Sequence, residues 1–145
     1  MLLALVLATT TLLASQSGSP GAATPAFRVI VHASNPVASA GREELSAIFM
    51  KRLGRWPSGA DIIPIDQQQE SVVREQFSRA VHGKNTAYVI RYWHRLIFAG
   101  RGIPPREAKD DAAVIAFVRA ERGAIGYVSS QALLPDGVKA IEVRP

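Results

Sequence analysis

The stretch from Glu43 to Gly83, EELSAIFMKRLGRWPSGADIIPIDQQQESVVREQFSRAVHG, constrains this fold more than any other. Leu45, Ile48, Phe49 and Leu53 recur at helical spacing and predict one apolar stripe. Gly54 then stands where a helix would stop, because glycine enters the left-handed conformation without a Cβ clash. Trp56-Pro57-Ser58-Gly59 reads as a turn, and Ile62, Ile63 and Ile65 as a short β-branched strand. Asp66 opens a polar run, Gln67-Gln68-Gln69-Glu70-Ser71, before a second helix with Val73, Phe77, Ala80 and Val81 inside and Gly83 at its end. In open α/β sheets, a strand that empties into a polar loop before a helix is the usual ligand position. That loop is the candidate site.

The rest of the chain extends the same alternation. Phe27–His32 (FRVIVH) predicts a first strand, broken by Ala33-Ser34-Asn35-Pro36. Ser39-Ala40-Gly41 offers caps for the helix near Arg42, with Glu43 and Glu44 in its first turn. A third helix runs from Lys84-Asn85-Thr86 to about Ala99. Val89, Ile90, Trp93, Leu96 and Ile97 lie on one arc, and Tyr88, Arg91, Tyr92 and Arg95 on the other. Gly100 to Pro105 reads as loop, and Asp110 or Asp111 caps a fourth helix with Val114, Phe117 and Val118 inside and Gly123 at its end. Ile125–Val128 is a strand, Ser129-Ser130 caps a helical turn through Leu134, and Lys139–Val143 is the last strand. Helices between strands predict an α/β domain with a mixed, mostly parallel sheet flanked by helices, its final strand antiparallel. Phe49, Phe77, Trp93 and Phe117 are expected to bury against that sheet.

Leu2–Ala14 is apolar but too short to span a bilayer of about 30 Å, and Ser15–Ala26 is rich in small residues. Residues 1–26 thus read as a signal peptide and flexible leader, cleaved after Ser17 or Ala23, although no lysine or arginine precedes the apolar run. Residues 27–145 form the domain, which is expected to be periplasmic or secreted, without a stable membrane span in the mature chain.

With no cysteine in its 145 residues, the chain has no disulfide scaffold and no thiolate metal site. His32, His82 and His94 lie in different elements without a ligand partner at metal spacing, so no metal and no cofactor are expected. No Gly-x-Ser-x-Gly elbow or Ser-x-x-Lys pair is present, and the chain reads as a non-enzyme. Gly83-Lys84-Asn85-Thr86 imitates the tail of a phosphate loop but follows a helix and lacks the upstream glycine. The net charge of +5 fits an anionic partner, yet arginines spread from Arg28 to Arg144 argue against nucleic acid. The Tyr88, Arg91, Tyr92, Arg95 face is a candidate docking surface for a protein partner.

Leu45-Ser46-Ala47-Ile48-Phe49, Gly54, Trp56-Pro57-Ser58-Gly59, Ile62–Ile65, Phe77, Tyr92-Trp93, Phe98-x-Gly100 and Gly123-Ala124-Ile125-Gly126-Tyr127-Val128 follow in a telling order. Together they resemble the substrate-binding proteins of phosphate-type ABC transporters, from Phe27 to about Val143, nearly all of the mature chain. The resemblance implies a single periplasmic-binding-protein-like lobe, since the full proteins have two lobes that close on their ligand. It implies a small polar or oxyanion ligand, phosphate among them. Ser34 and Asn35 would donate hydrogen bonds to it, Gln67, Gln68, Gln69 and Ser71 would line the loop beside Asp66, and Arg74 would supply charge. Where the family places a glycine-serine-glycine-threonine loop, this chain has Gln67-Gln68-Gln69-Glu70. Glutamines disfavour the tight turn and Glu70 repels phosphate, so binding is expected to be weak. The alternative is an interaction module that kept the scaffold and lost the ligand.

Overall fold

A computed structural model describes residues 26–145. The expected leader and its cleavage sites lie outside the described residues, apart from Ala26. Strand β1 (Phe27–His32) is followed by a short β2 (Ser39–Gly41) and helix α1 (Arg42–Phe49). Then come β3 (Ile63–Gln67), α2 (Val72–Phe77), a π-helical turn (Ser78–His82) and α3 (Thr86–Phe98). Strand β4 (Arg106–Ala108), α4 (Asp111–Ala120), β5 (Ala124–Ser129) and β6 (Val138–Arg144) complete the chain.

The strands form one sheet in the order β2-β6-β1-β5-β3-β4. Pairs β2–β6, β3–β5 and β3–β4 are parallel, whereas β1 runs antiparallel to both β5 and β6. The expected mixed, mostly parallel sheet is therefore present, but the strand that runs against all the others is the first, in mid-sheet. The final strand is antiparallel only to β1. Two short strands were not legible. A three-residue strand carries too little alternation to stand out from a cap (β2) or a loop (β4).

Side-chain alternation sends the sheet's residues to two cores. Val29 and Val31 of β1 and Ile125 and Tyr127 of β5 face Leu45, Ile48 and Phe49 of α1, together with Phe77 and Val81. Ile30, Ala124 and Val128 face the opposite side, where Val114 and Val118 of α4 pack. Gly126 makes that approach possible: a Cβ there would come within 2.6 Å of Val114 Cγ1 and 2.9 Å of Ile65 Cγ2. On the first side Phe77 is the hub. Its ring stacks on Tyr127 at 3.9 Å and meets Phe49 edge-on at 4.8 Å.

Several local expectations change. Helix α1 stops at its cap Met50, and Lys51 (φ 53°) takes the left-handed position expected of Gly54, leaving Leu53 exposed beyond the helix. Gly83 (φ 64°) does end the second helix, but the π-helical turn inserts an extra residue and turns Ala80 outward. Gly123 does not cap α4. Its carbonyl accepts from the Ile63 N–H (3.0 Å) and the Trp56 indole N–H (3.1 Å), and a Cβ there would strike the Asp61 carbonyl. Phe117 is only half-buried, beneath the Arg106 guanidinium, and Trp93 is buried in a separate cluster with Met50 and Val89 rather than on the sheet. Ser129-Ser130 begins a turn without a helix.

Candidate functional site

Parallel pairing places the carboxyl ends of β3, β4 and β5 on one edge, at Gln67, Ala108 and Ser129. Helices α2 and α4 begin at the same edge, capped by the Ser71 and Asp110 side chains, which accept from the N–H groups of Arg74 (3.2 Å) and Ala113 (2.8 Å). Between them lies an open hollow of about 520 Å³, lined by Gln67, Gln68, Glu70, Ser71, Lys109 and the first residues of α4.

Under this hollow lies a buried polar network. Arg74, 3% exposed, pairs with Asp66 at 3.2 Å and Glu107 at 2.6 Å, and donates to the Gln67 carbonyl at 2.6 Å. The Tyr127 hydroxyl donates to Asp66, which also accepts from the Gln67 N–H. Burial pushes the Asp66 carboxyl up, against the pull of Arg74 and Tyr127. Burial also opposes the charge on Arg74, but Asp66 and Glu107 more than restore it. The Tyr127 hydroxyl is raised well above its ordinary range by burial and by Asp66, so it stays a donor.

The three successive glutamines have different fates. Gln67 is buried: its amide donates to Asp111 (2.7 Å) and the Tyr127 carbonyl (3.2 Å), and its oxygen accepts from Ser71. Gln68 is exposed and ties the loop to β4 through its N–H on the Ala108 carbonyl. Gln69 faces a separate cavity of about 90 Å³ between Arg74, Glu107 and the Trp93 side of α3.

The structure thus brings Asp66, Gln67, Gln68, Gln69, Ser71 and Arg74 together, but not Ser34 and Asn35. Because β1 is antiparallel to β5, Phe27 pairs with Ser129 at the site edge while His32 ends beside Val138 at the far edge. Ser34 and Asn35 follow His32, roughly 20 Å from the hollow by the length of the strand. Ser34 Oγ contacts His32 Nδ1 at 2.7 Å, and buried Asn35 accepts from the Val37 N–H. A first strand parallel to β5 would have delivered them to the site.

Arg74 is likewise not a free cation, because two carboxylates hold it. Glu107, Asp111 and Tyr127 escaped the sequence reading. Glu107 had no legible signal, since β4 was not recognised. Asp111 was read only as a helix cap, yet its second oxygen accepts from the Ser129 N–H at 3.1 Å and locks α4 to β5. Among the described residues no group of three or more His, Cys, Asp or Glu could hold a metal ion.

On the far side of α3, Tyr88 and Arg91 to Arg95 split. Tyr88, Arg91 and Arg95 are exposed, whereas Tyr92 is half-buried with its ring edge-on to Trp93 at 5.2 Å. No helix among the described residues is long and apolar enough to cross a membrane.

No protein-family model matches the chain, and no curated protein does either. Solved structures do. A protein from Clostridium perfringens, described as a phosphate ABC transporter substrate-binding protein with bound phosphate, superposes with a TM-score of 0.64 at 20% identity, over 81% of this chain and 44% of its own. An ABC-type phosphate transport receptor from Vibrio cholerae gives 0.64 at 17% identity, over 81% and 46%. PstS from Borrelia burgdorferi gives 0.58 at 15%, over 82% and 47%. The chain spans less than half the length of these neighbours. It therefore has the fold of phosphate ABC transporter substrate-binding proteins, across a single lobe's length.

Proposed function

We propose that this chain is an exported, non-catalytic binding lobe of the substrate-binding-protein type, which takes a small polar or oxyanion ligand weakly at the Gln67–Ser71 loop. The observation that carries the reading is the open polar hollow at the carboxyl edge of β3 and β4, in a fold shared with a phosphate-bound protein. Asp110 and Asp111 are spent on backbone and glutamine hydrogen bonds. They keep their charge in doing so, and with Glu70 they set three carboxylates against Lys109 around the hollow. Without net positive charge, and in a hollow open to water, an anion gains little there. Ligand contacts would come from Gln68 and Lys109, with Asp66, Gln67, Ser71 and Arg74 holding the loop from beneath. A periplasmic location follows from this reading and from the leader-like first residues.

Calorimetric titration of the chain with phosphate and sulfate tests it. The expected result is millimolar binding that Glu70→Gln tightens about two- to fivefold, since a charge at an exposed helix start is worth about 0.3–1 kcal/mol. No heat from either protein at high phosphate would remove the reading. The second reading, an interaction module without a ligand, would then stand. It is favoured by one observation: Arg74, the natural anion-binding group of the loop, is already neutralised by Asp66 and Glu107.

A further inference from the structure

From Lys84 to Pro105 the chain contains Lys84, Arg91, Arg95 and Arg101 and no Asp or Glu. The segment thus carries a net charge of +4, against +5 for the whole chain. Tyr88, Arg91, Arg95 and Phe98 recur at three- and four-residue spacing and form one stripe along α3. Two hollows of about 440 Å³ each share Tyr88 and Arg91. One is lined further by Arg79, Lys84 and Asn85, the other by His94, Arg95 and Phe98, and neither is lined by a carboxylate. Arg79 is paired with Glu75 at 2.6 Å, but Lys84, Arg91 and Arg95 form no ion pair among the described residues. At the end of the stripe Phe98 is 92% exposed, and Ile103 in the loop beyond it is 77% exposed.

We propose that this stripe docks on an anionic lipid surface, with Lys84, Arg91 and Arg95 against the headgroup phosphates and Phe98 entering the acyl boundary. The apolar arc of α3 is used inside the protein, so the attraction would come from the cations and from the protruding Phe98 and Ile103 together, charge plus buried apolar area. An acidic protein surface would satisfy the arginines. It would leave Phe98 and Ile103 needing a pocket of their own, whereas a membrane takes both groups without a shaped partner. The proposal does not rest on the ligand reading above, because the stripe and the Gln67–Ser71 hollow share no residue.

Vesicle co-sedimentation of the full chain tests it, using phosphatidylcholine alone and with about a third phosphatidylglycerol. Residues 1–25 are the same in every protein compared, so differences report the stripe. The wild-type chain is expected to bind the anionic vesicles at least about tenfold more tightly than the neutral ones. Arg91→Glu with Arg95→Glu should abolish that preference, and Phe98→Ser should weaken binding to the anionic vesicles while keeping the preference. Phe98→Trp, whose folding is confirmed by circular dichroism, should show a blue-shifted emission on adding anionic vesicles only. Equal binding to both vesicle types, an unchanged preference in the double variant, or no emission shift would overturn the proposal. So would a double variant that loses binding to immobilised polyglutamate but not to vesicles, which would assign the stripe to an acidic protein.

Discussion

Arg74 and the Arg91–Arg95 pair are the same residue type in opposite circumstances. Arg74 is buried, held by two carboxylates and a carbonyl, and has no charge left for a ligand. Arg91 and Arg95 stand exposed on a segment with no carboxylate of its own. In the first place arginine acts as a brace, because a buried guanidinium is tolerable only when its charge is met, and here both terminal nitrogens have partners although Nε has none. In the second it keeps its long-range field. Position in the chain says little about which role an arginine takes; the carboxylates that tertiary structure brings near it decide.

The sharpest way to break this contrast is Arg74→Ala. Removing a buried ion-pair partner leaves Asp66 uncompensated, and a stability loss of about 3–5 kcal/mol is expected by denaturant unfolding. A loss of under about 1 kcal/mol would mean that water, not Arg74, meets Asp66. Combining Arg74→Met with Asp66→Leu should recover much of the stability, since an apolar pair of like volume replaces the charges.

His82 tests whether the buried region extends past the ion pairs. Burial, with Arg52 and Arg74 nearby, lowers its pKa from 6.5 to about 4, and Ser46 Oγ lies 2.9 Å from Nδ1. In this window the unfolded chain binds a proton that the folded one refuses. Stability is therefore retained above pH 6.5 and lost as pH falls toward about 4. The loss is on the order of 2–3 kcal/mol, and His82→Asn should flatten it. Asp66, whose carboxyl is raised, contributes the opposite slope, so the difference between wild type and variant is the measurement that counts. Identical pH profiles would show that His82 is not held neutral.

A smaller effect separates packing from hydrogen bonding within the network. Tyr127→Phe keeps the stack on Phe77 but removes the donor to Asp66 and should cost about 1–2 kcal/mol. No cost would mean that Arg74 and the Gln67 N–H suffice. On the other side of the comparison, Arg91→Ala, Arg95→Ala and Phe98→Ser should each change stability by less than about 0.5 kcal/mol, because these side chains are exposed. A larger loss at either arginine would make the stripe structural and erase the contrast.

Long periodic elements were legible because local physics forms them. The predicted Phe27–His32 strand has the observed bounds, α3 follows its Asn85 cap, and Gly83 ends the second helix as glycine should. Errors fall where a neighbour in space outweighs local preference. Gly123 looked like a helix end and is instead the close approach between the Trp56 turn and β5. Trp93, rightly expected inside, packs on Met50 rather than on the sheet.

By itself the sequence determined that this chain alternates strands and helices, that β3 ends in a polar loop before a helix, and that α3 carries a basic, aromatic face. These follow from hydrophobic period, capping and charge pattern, which act between residues close in the chain. Only the tertiary structure decided that β1 runs against the sheet, which carries Ser34 and Asn35 to the far edge, and that Glu107 reaches Arg74. Strand direction depends on which edges pair across long stretches of chain, and a charge's freedom depends on its neighbours in space. Neither is written in local spacing.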